Sequence, residues 1–195
     1  GGRGRGARAV GGRRGRRAFH FTEPAAEAAG YLRTGSSQER LTVLTKLAEN
    51  VYWVGIVDWA LRHFHGYELS THRGSSYNSY LILDAKKVLV DTVWEPFQDE
   101  WLDGLRQVVD PAAIDIVVAN HAEPDHSGGL PAILRHCPNA TVIVSKRGAE
   151  SIPGHYHQKW NFKTVGTGDR VNIGSSDLVF VEAPMLHWPD SMFTY

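Results

Sequence analysis

Between residues 120 and 129 the chain reads Asn-His-Ala-Glu-Pro-Asp-His-Ser-Gly-Gly, which sets two imidazoles (His121, His126) and two carboxylates (Glu123, Asp125) within six residues. Neutral imidazole and ionised carboxylate are ligands for borderline and harder first-row metals. Four donors in so short a run can serve two ions as well as one, and iron or manganese suits the set as well as zinc does. The competing reading, a solvated polar loop that happens to carry two histidines, is disfavoured by the density of the donors and by the apolar run in front of them.

The elements that must position these donors can be read on either side. Residues 115–119 (Asp-Ile-Val-Val-Ala) form a short apolar, β-branched run of the kind that makes a buried strand, and Pro124 argues against a helix interior across the four donors. The donors are therefore expected on a strand-to-helix loop. In an extended segment residues i and i+2 project to one side, so His121 and Glu123 can share an ion. Asp125 and His126, at the entry to the next helix, can turn towards a second. Strands are expected over 51–57, 77–83 and 87–92, with 84–86 turning the last two into a hairpin. Residues 95–109 have helical spacing, with Phe97, Trp101, Leu102, Leu105 and Val108 on one face. Beyond the metal loop, short helices are expected over 129–136 and 146–152, and strands over 141–144, 162–165, 170–173 and 178–182. The order is that of a layered α/β (α+β) domain.

The pattern His-x-Glu-x-Asp-His resembles the metallo-β-lactamase superfamily, and Glu123 at the second ligand position, where zinc hydrolases of that superfamily usually carry His, resembles the flavodiiron proteins (A-type flavoproteins). Residues 59–67 (WALRHFHGY), 71–81 (THRGSSYNSYL) and above all 184–195 (PMLHWPDSMFTY) are similar to the same family. The resemblance covers 41–195. It implies the N-terminal portion of an αββα sandwich, truncated at the C-terminus, with an uncovered apolar sheet face. It also implies that His121, Glu123 and His187 hold one iron and that Asp125 and His126 contribute to another. Asp91 takes the superfamily's strand-end position that orients the ligand loop, and His65 matches a histidine that lines the family's substrate pocket. Asp190 matches a non-ligand aspartate.

The activity implied by the resemblance is reduction of NO to N2O or of O2 to water, with electrons from FMN. In the family that flavin is supplied by a flavodoxin-like domain of the partner subunit in a head-to-tail homodimer, and a rubredoxin-type or NADH-linked donor feeds it. A flavodoxin-like domain is not expected within these 195 residues, and the chain is expected to be an inactive fragment on its own. Two other readings stay open: a zinc-dependent hydrolase on the same fold, against which Glu123 argues, and a non-catalytic metal-binding fragment.

Composition bounds the rest. Lys+Arg and Asp+Glu both total 21, but the first seventeen residues hold seven Arg, seven Gly and no acid, which leaves 14 basic against 21 acidic residues, a net of −7, over the remainder. Residues 1–40 are thus expected to be a disordered Gly/Arg-rich extension, apart from a diiron domain over 41–195. No aromatic residue is interleaved with those arginines, so nucleic-acid recognition is not expected. No segment has the length of a membrane span, and the single Cys137 cannot form an internal disulfide, so the chain reads as cytoplasmic. His155 and His157 flank Tyr156 without a carboxylate neighbour and are expected to be loop residues outside the site.

Overall fold

The computed structural model describes residue 1, residues 44–64 and residues 68–195. The Gly/Arg-rich extension and His65 lie outside the described residues. In chain order the strands are β1 (Thr45–Lys46), β2 (Val51–Trp53), β3 (Ile56–Asp58), β4 (His63–Phe64), β5 (Leu69–Ser70), β6 (Ser75–Tyr77), β7 (Tyr80–Leu83), β8 (Lys87–Val90), β9 (Ile116–Val118), β10 (Thr141–Ser145), β11 (Phe162–Val165), β12 (Arg170–Asn172), β13 (Asp177–Glu182) and β14 (Met192–Thr194). The α-helices are α1 (Gln98–Leu105), α2 (Pro124–Ser127), α3 (Leu130–His136) and α4 (Gly148–Tyr156).

Among the described residues, seven strands build one mixed sheet in the order β1-β2-β7-β8-β9-β10-β11. The half up to β8 is antiparallel, and β8 to β11 run parallel. Parallel neighbours cannot be joined by a tight turn, and α1, α2 with α3, and α4 provide the crossovers. Alternation along the central strands assigns the two faces. Leu89, Val117, Val142 and Val144 pack with Trp101, Leu105, Leu130 and Ile133 of the helices. Val88, Val90, Ile116, Val118 and Ile143 pack with Val171, Ile173, Leu178, Phe180 and Met192. The latter residues belong to or adjoin a second sheet, β12-β13-β14. Both faces of β8, β9 and β10 are therefore buried, which is why these strands read as continuous apolar runs.

This corrects the expectation of an uncovered face on the main sheet. An exposed apolar pair lies instead on the outer side of the second sheet, where Val181 pairs in register with Phe193. The two sheets are also latched at a corner: Asp84 accepts hydrogen bonds from Ser175 N, Ser175 Oγ and Ser176 N. The Ser175 and Ala85 backbone amides hold its carboxyl below the usual range.

Three further expectations change. The strand expected over 51–57 is two, β2 in the main sheet and β3 paired with β6 in a separate ribbon, and the strand expected over 77–83 divides the same way into β6 and β7. The ladder bends at Gly55, where a Cβ would collide with the carbonyl oxygen of Tyr77 and only glycine fits. The helix expected over 95–109 opens as a 3-10 turn at Glu95–Phe97, with Pro96 near its start, and its α-helical part ends at Leu105. Finally, α4 continues through Pro153 to Tyr156 and ends on a left-handed His157, whose N–H bonds the Pro153 carbonyl. His155 is thus a helix residue rather than a loop residue. Among the described residues no helix is long and apolar enough to cross a membrane.

Candidate metal centre

The donor-rich loop leaves the C-terminal end of β9, beside the end of β8, where parallel α/β sheets open a crevice for ligands. Its first residue, Asn120, is fixed from two sides. Asp91, just past β8 and left-handed at φ 55°, accepts from Asn120 N at 2.8 Å and from Asn120 Nδ2 at 3.2 Å. From β14, Met192 N donates to the Asn120 carbonyl at 2.9 Å and Thr194 Oγ1 to its Oδ1 at 2.7 Å. The loop ends in α2, with Pro124 at its first position, where a missing N–H is harmless. Gly128 lets α2 pack against the 93–95 backbone, since a Cβ there would sit 2.6 Å from Glu95 N.

Ser127 Oγ, buried, contacts the carbonyls of Ala122 and Glu123 at 2.7 and 3.0 Å and Tyr156 Oη at 2.7 Å. A hydroxyl has one proton, so with Ser127 donating to the loop, Tyr156 donates to Ser127. Helix α4 thereby braces the turn that carries Glu123.

On this scaffold three donors converge. His121 Nε2 lies 3.1 Å and His187 Nε2 2.9 Å from the same oxygen, Glu123 Oε2. The ligand atoms of these three residues all lie within 4.8 Å of one another, so they could hold one ion. His187 enters from the loop after β13, and its ring meets that of His121 edge-on at a centroid distance of 5.2 Å. The Trp188 ring also meets that of His121 edge-on, at 4.9 Å and an interplanar angle of 84°. Asp125 and His126 sit alongside as a second pair, with Asp125 Oδ2 3.6 Å from His126 Nε2. His126 Nδ1 in turn faces Asp91 Oδ2, also at 3.6 Å.

The neighbouring carboxylates dominate the electrostatics of the cluster. Burial opposes a charge on His121, but the carboxylates of Asp190 and Glu123 outweigh it and raise the ring above the usual histidine range. For His126 burial is likewise outweighed, chiefly by Asp91 and Asp125. Burial pushes the Asp125 carboxyl up, with His126 pulling against it and Glu123 adding to it. Asp125 Oδ1 is buried without a hydrogen-bond donor among the described residues, a costly arrangement in an apolar surround and an ordinary one for an oxygen that faces a metal.

Beside Glu123 and Asp125 opens a cavity of about 330 Å³, with His63, Phe64, Tyr77 and Trp94 among its walls. Tyr77 Oη donates to Asp58 Oδ2 at 3.1 Å, and burial together with the Asp58 charge raises its hydroxyl well above the usual tyrosine range. The structure thus brings His121, Glu123 and His187 together, sets Asp125 and His126 beside them and places Asp91 beneath the loop. His155 and His157 are not in the group. His63, Tyr77 and Trp94 were not anticipated as cavity residues, although His63 is only two residues from His65. Nor was a contact expected for Asp190, which is buried and lies 3.4 Å from His121 Nδ1.

The model of the ODP family β-lactamase matches residues 76–195. The chain belongs to this family. Among curated ODP-type relatives, it is 52% identical over 150 residues to the nitric oxide reductase of Moorella thermoacetica, covering 76% of this chain and 38% of that protein. It is 50% identical over 157 residues to the anaerobic nitric oxide reductase flavorubredoxin of an Enterobacter species, covering 80% of this chain and 32% of that one. The chain therefore spans only about a third of the length of these relatives.

Solved structures of flavodiiron type share the fold. The rubredoxin oxygen:oxidoreductase of Desulfovibrio gigas matches with a TM-score of 0.75 and 38% identity over 78% of this chain and 38% of that chain. The flavodiiron protein of Giardia intestinalis matches with a TM-score of 0.74 and 39% identity over 81% of this chain and 38% of that chain. The ODP domain seen here is the metallo-β-lactamase-like domain of flavodiiron proteins.

Proposed function

We propose that this chain is the diiron-binding part of an oxidoreductase that reduces NO to N2O, or O2 to water, with His121, Glu123 and His187 holding one iron and Asp125 and His126 contributing to the other. The observation that carries the reading is the convergence of two imidazole nitrogens on one carboxylate oxygen at 3.1 and 2.9 Å. Both separations let one cation reach all three donors, and the hard Glu123 oxygen favours iron over zinc. They are also hydrogen-bond lengths, so protons and metal compete for the same lone pairs.

Irons held by these residues would supply the electrons for reducing a diatomic substrate. The chain's own residues do the rest. Phe64 and Trp94 give the cavity apolar walls that limit water. Tyr77, kept protonated and anchored to Asp58, presents an aromatic face there and does not act as a base. Two NO need two electrons and two protons to give N2O and one water. The names of the relatives, nitric oxide reductase and flavorubredoxin among them, support NO as a substrate and a rubredoxin-type donor, with FMN passing on the electrons. A head-to-tail homodimer that brings a partner's flavin to the cavity, and a pocket role for His65, belong to the same reading. A zinc hydrolase finds no comparable support, because Glu123 stands where a third imidazole would be needed.

The test is to load the protein anaerobically with ferrous iron and follow NO loss and N2O formation with dithionite and with reduced FMN as reductants. The full-length protein carrying this domain should turn over, whereas residues 1–195 alone should bind iron without steady turnover. His121→Ala, Glu123→Ala and His187→Ala should lose iron and activity, whereas His155→Ala and His157→Ala should keep both. Loss of iron in His155→Ala with retention in His187→Ala would overturn the assignment.

A further inference from the structure

Asp190 holds a place that the metal site alone does not explain. It is 2% exposed, on the loop that also supplies His187, three residues earlier. Its Oδ2 accepts from Ala122 N at 2.6 Å, between the two ligands His121 and Glu123. Its Oδ1 lies 3.4 Å from His121 Nδ1, and neither atom has a hydrogen-bond partner among the described residues. The Asp190 backbone is itself fixed: its carbonyl accepts from Ser145 Oγ at 2.8 Å, and Ser145 Oγ accepts from Gly148 N at 2.9 Å, at the junction of β10 and α4.

Both ring nitrogens of His121 face a carboxylate, Nε2 that of Glu123 at 3.1 Å and Nδ1 that of Asp190 at 3.4 Å. A cation shared with Glu123 needs the Nε2 lone pair, so the remaining proton belongs on Nδ1, where the Asp190 carboxylate can only accept it. A metal-ligating histidine characteristically donates its other ring N–H to a carboxylate placed in this way. His126 repeats the arrangement with a different carboxylate, since its Nδ1 faces Asp91 at 3.6 Å. Each loop histidine thus has a buried acid behind it, drawn from a different strand end.

We propose that Asp190 is a positioning residue for the metal site: it holds His121 in the Nδ1–H tautomer and ties the His121–Glu123 loop to the loop of His187, so that all three ligands are preset. This rests on the metal-site reading above. It makes affinity depend on the charge of Asp190 and not only on its bulk, and loss of such a partner typically weakens metal binding tenfold to a hundredfold.

Co2+ is the probe, added anaerobically and titrated against a chelator, for wild type and Asp190→Asn. The amide keeps the volume and can still accept from Ala122 N, so a purely structural role predicts equal affinity. The expected result is a tenfold to hundredfold weaker Co2+ affinity together with an altered Co2+ absorption spectrum. Equal affinity, within about threefold, overturns the role of Asp190 alone, whereas a wild type that binds no Co2+ overturns the metal site and this inference with it.

Should Asp190→Asn fail to fold, the wild type decides. Loaded with diamagnetic Zn2+, its His121 Nδ1 proton should appear far downfield in the NMR spectrum and exchange slowly with solvent. A rapidly exchanging proton there overturns the inference.

Discussion

Replacing Asp91 by alanine should destabilise the protein by about 4 kcal/mol, most of it through a residue that is not itself changed. Asp91 is 9% exposed and sits at φ 55°. Its carboxylate receives the Asn120 backbone N–H at 2.8 Å and the Asn120 side-chain amide at 3.2 Å. Hydrogen bonds to a charged partner contribute about 1.5–3 kcal/mol each, and the longer of the two belongs at or below the bottom of that range, so their joint loss costs about 3 kcal/mol. Alanine at a left-handed backbone position adds about 1 kcal/mol that aspartate, asparagine and glycine largely avoid.

The series separates these effects. Asp91→Asn, which keeps an acceptor and tolerates the backbone, should cost about 1 kcal/mol, Asp91→Gly about 3 and Asp91→Ala about 4. Urea unfolding monitored by tryptophan fluorescence reads this directly: with a slope of about 2 kcal/mol/M, the alanine variant should lose about 2 M of its midpoint at unchanged slope. The Ala and Gly variants should also bind metal more weakly, since His126 loses the carboxylate behind it. An alanine variant within 1 kcal/mol of wild type, or a glycine variant less stable than the alanine one, would refute the reasoning.

Two other outcomes follow from the packing. Phe180→Ala empties the centre of the layer between the two sheets, where Phe180 is fully buried, and should cost about 3–5 kcal/mol by thermal or urea unfolding. Burial pushes the Cys137 thiol up to about 11, so at pH 8 only about a thousandth of it is thiolate. Its reaction with a disulfide reagent should be at least about a hundredfold slower in the native protein than in urea; comparable rates would place it at the surface.

The parts of this fold legible in the sequence were those fixed by local pattern. β8, β9 and β10 announce themselves because burial on both faces turns them into unbroken β-branched runs. The hairpin turn at 84–86 and the helix before β10 follow from turn and spacing rules in the same way. The bend at Gly55 could not be read, since it depends on the close approach of the Tyr77 carbonyl from a strand more than twenty residues away. Continuation of α4 through Pro153 escaped notice because a proline is a local stop signal that tertiary packing can override: Tyr156, beyond it, is held by Ser127.

The metal centre divides along the same line. His121, Glu123, Asp125 and His126 are neighbours in sequence, so their spacing speaks for itself. His187 and Asp91 were reachable only through family resemblance. Asp190 matched a position known to be a non-ligand, and its contacts with His121 and Ala122 arise only when β13 and its loop fold back across the end of β9. The cavity residues His63, Tyr77 and Trp94 come from three separate segments, and nothing in their local sequence distinguishes them from core or surface groups.

That His121, Glu123 and His187 hold iron in preference to zinc is tested most directly by the metal content of the protein expressed with both metals in supply and purified without chelator. Iron should be bound in clear excess over zinc in the wild type, and Glu123→His, which restores a third imidazole, should shift the balance towards zinc. A wild-type protein carrying two zinc ions and no iron under those conditions would contradict the diiron assignment.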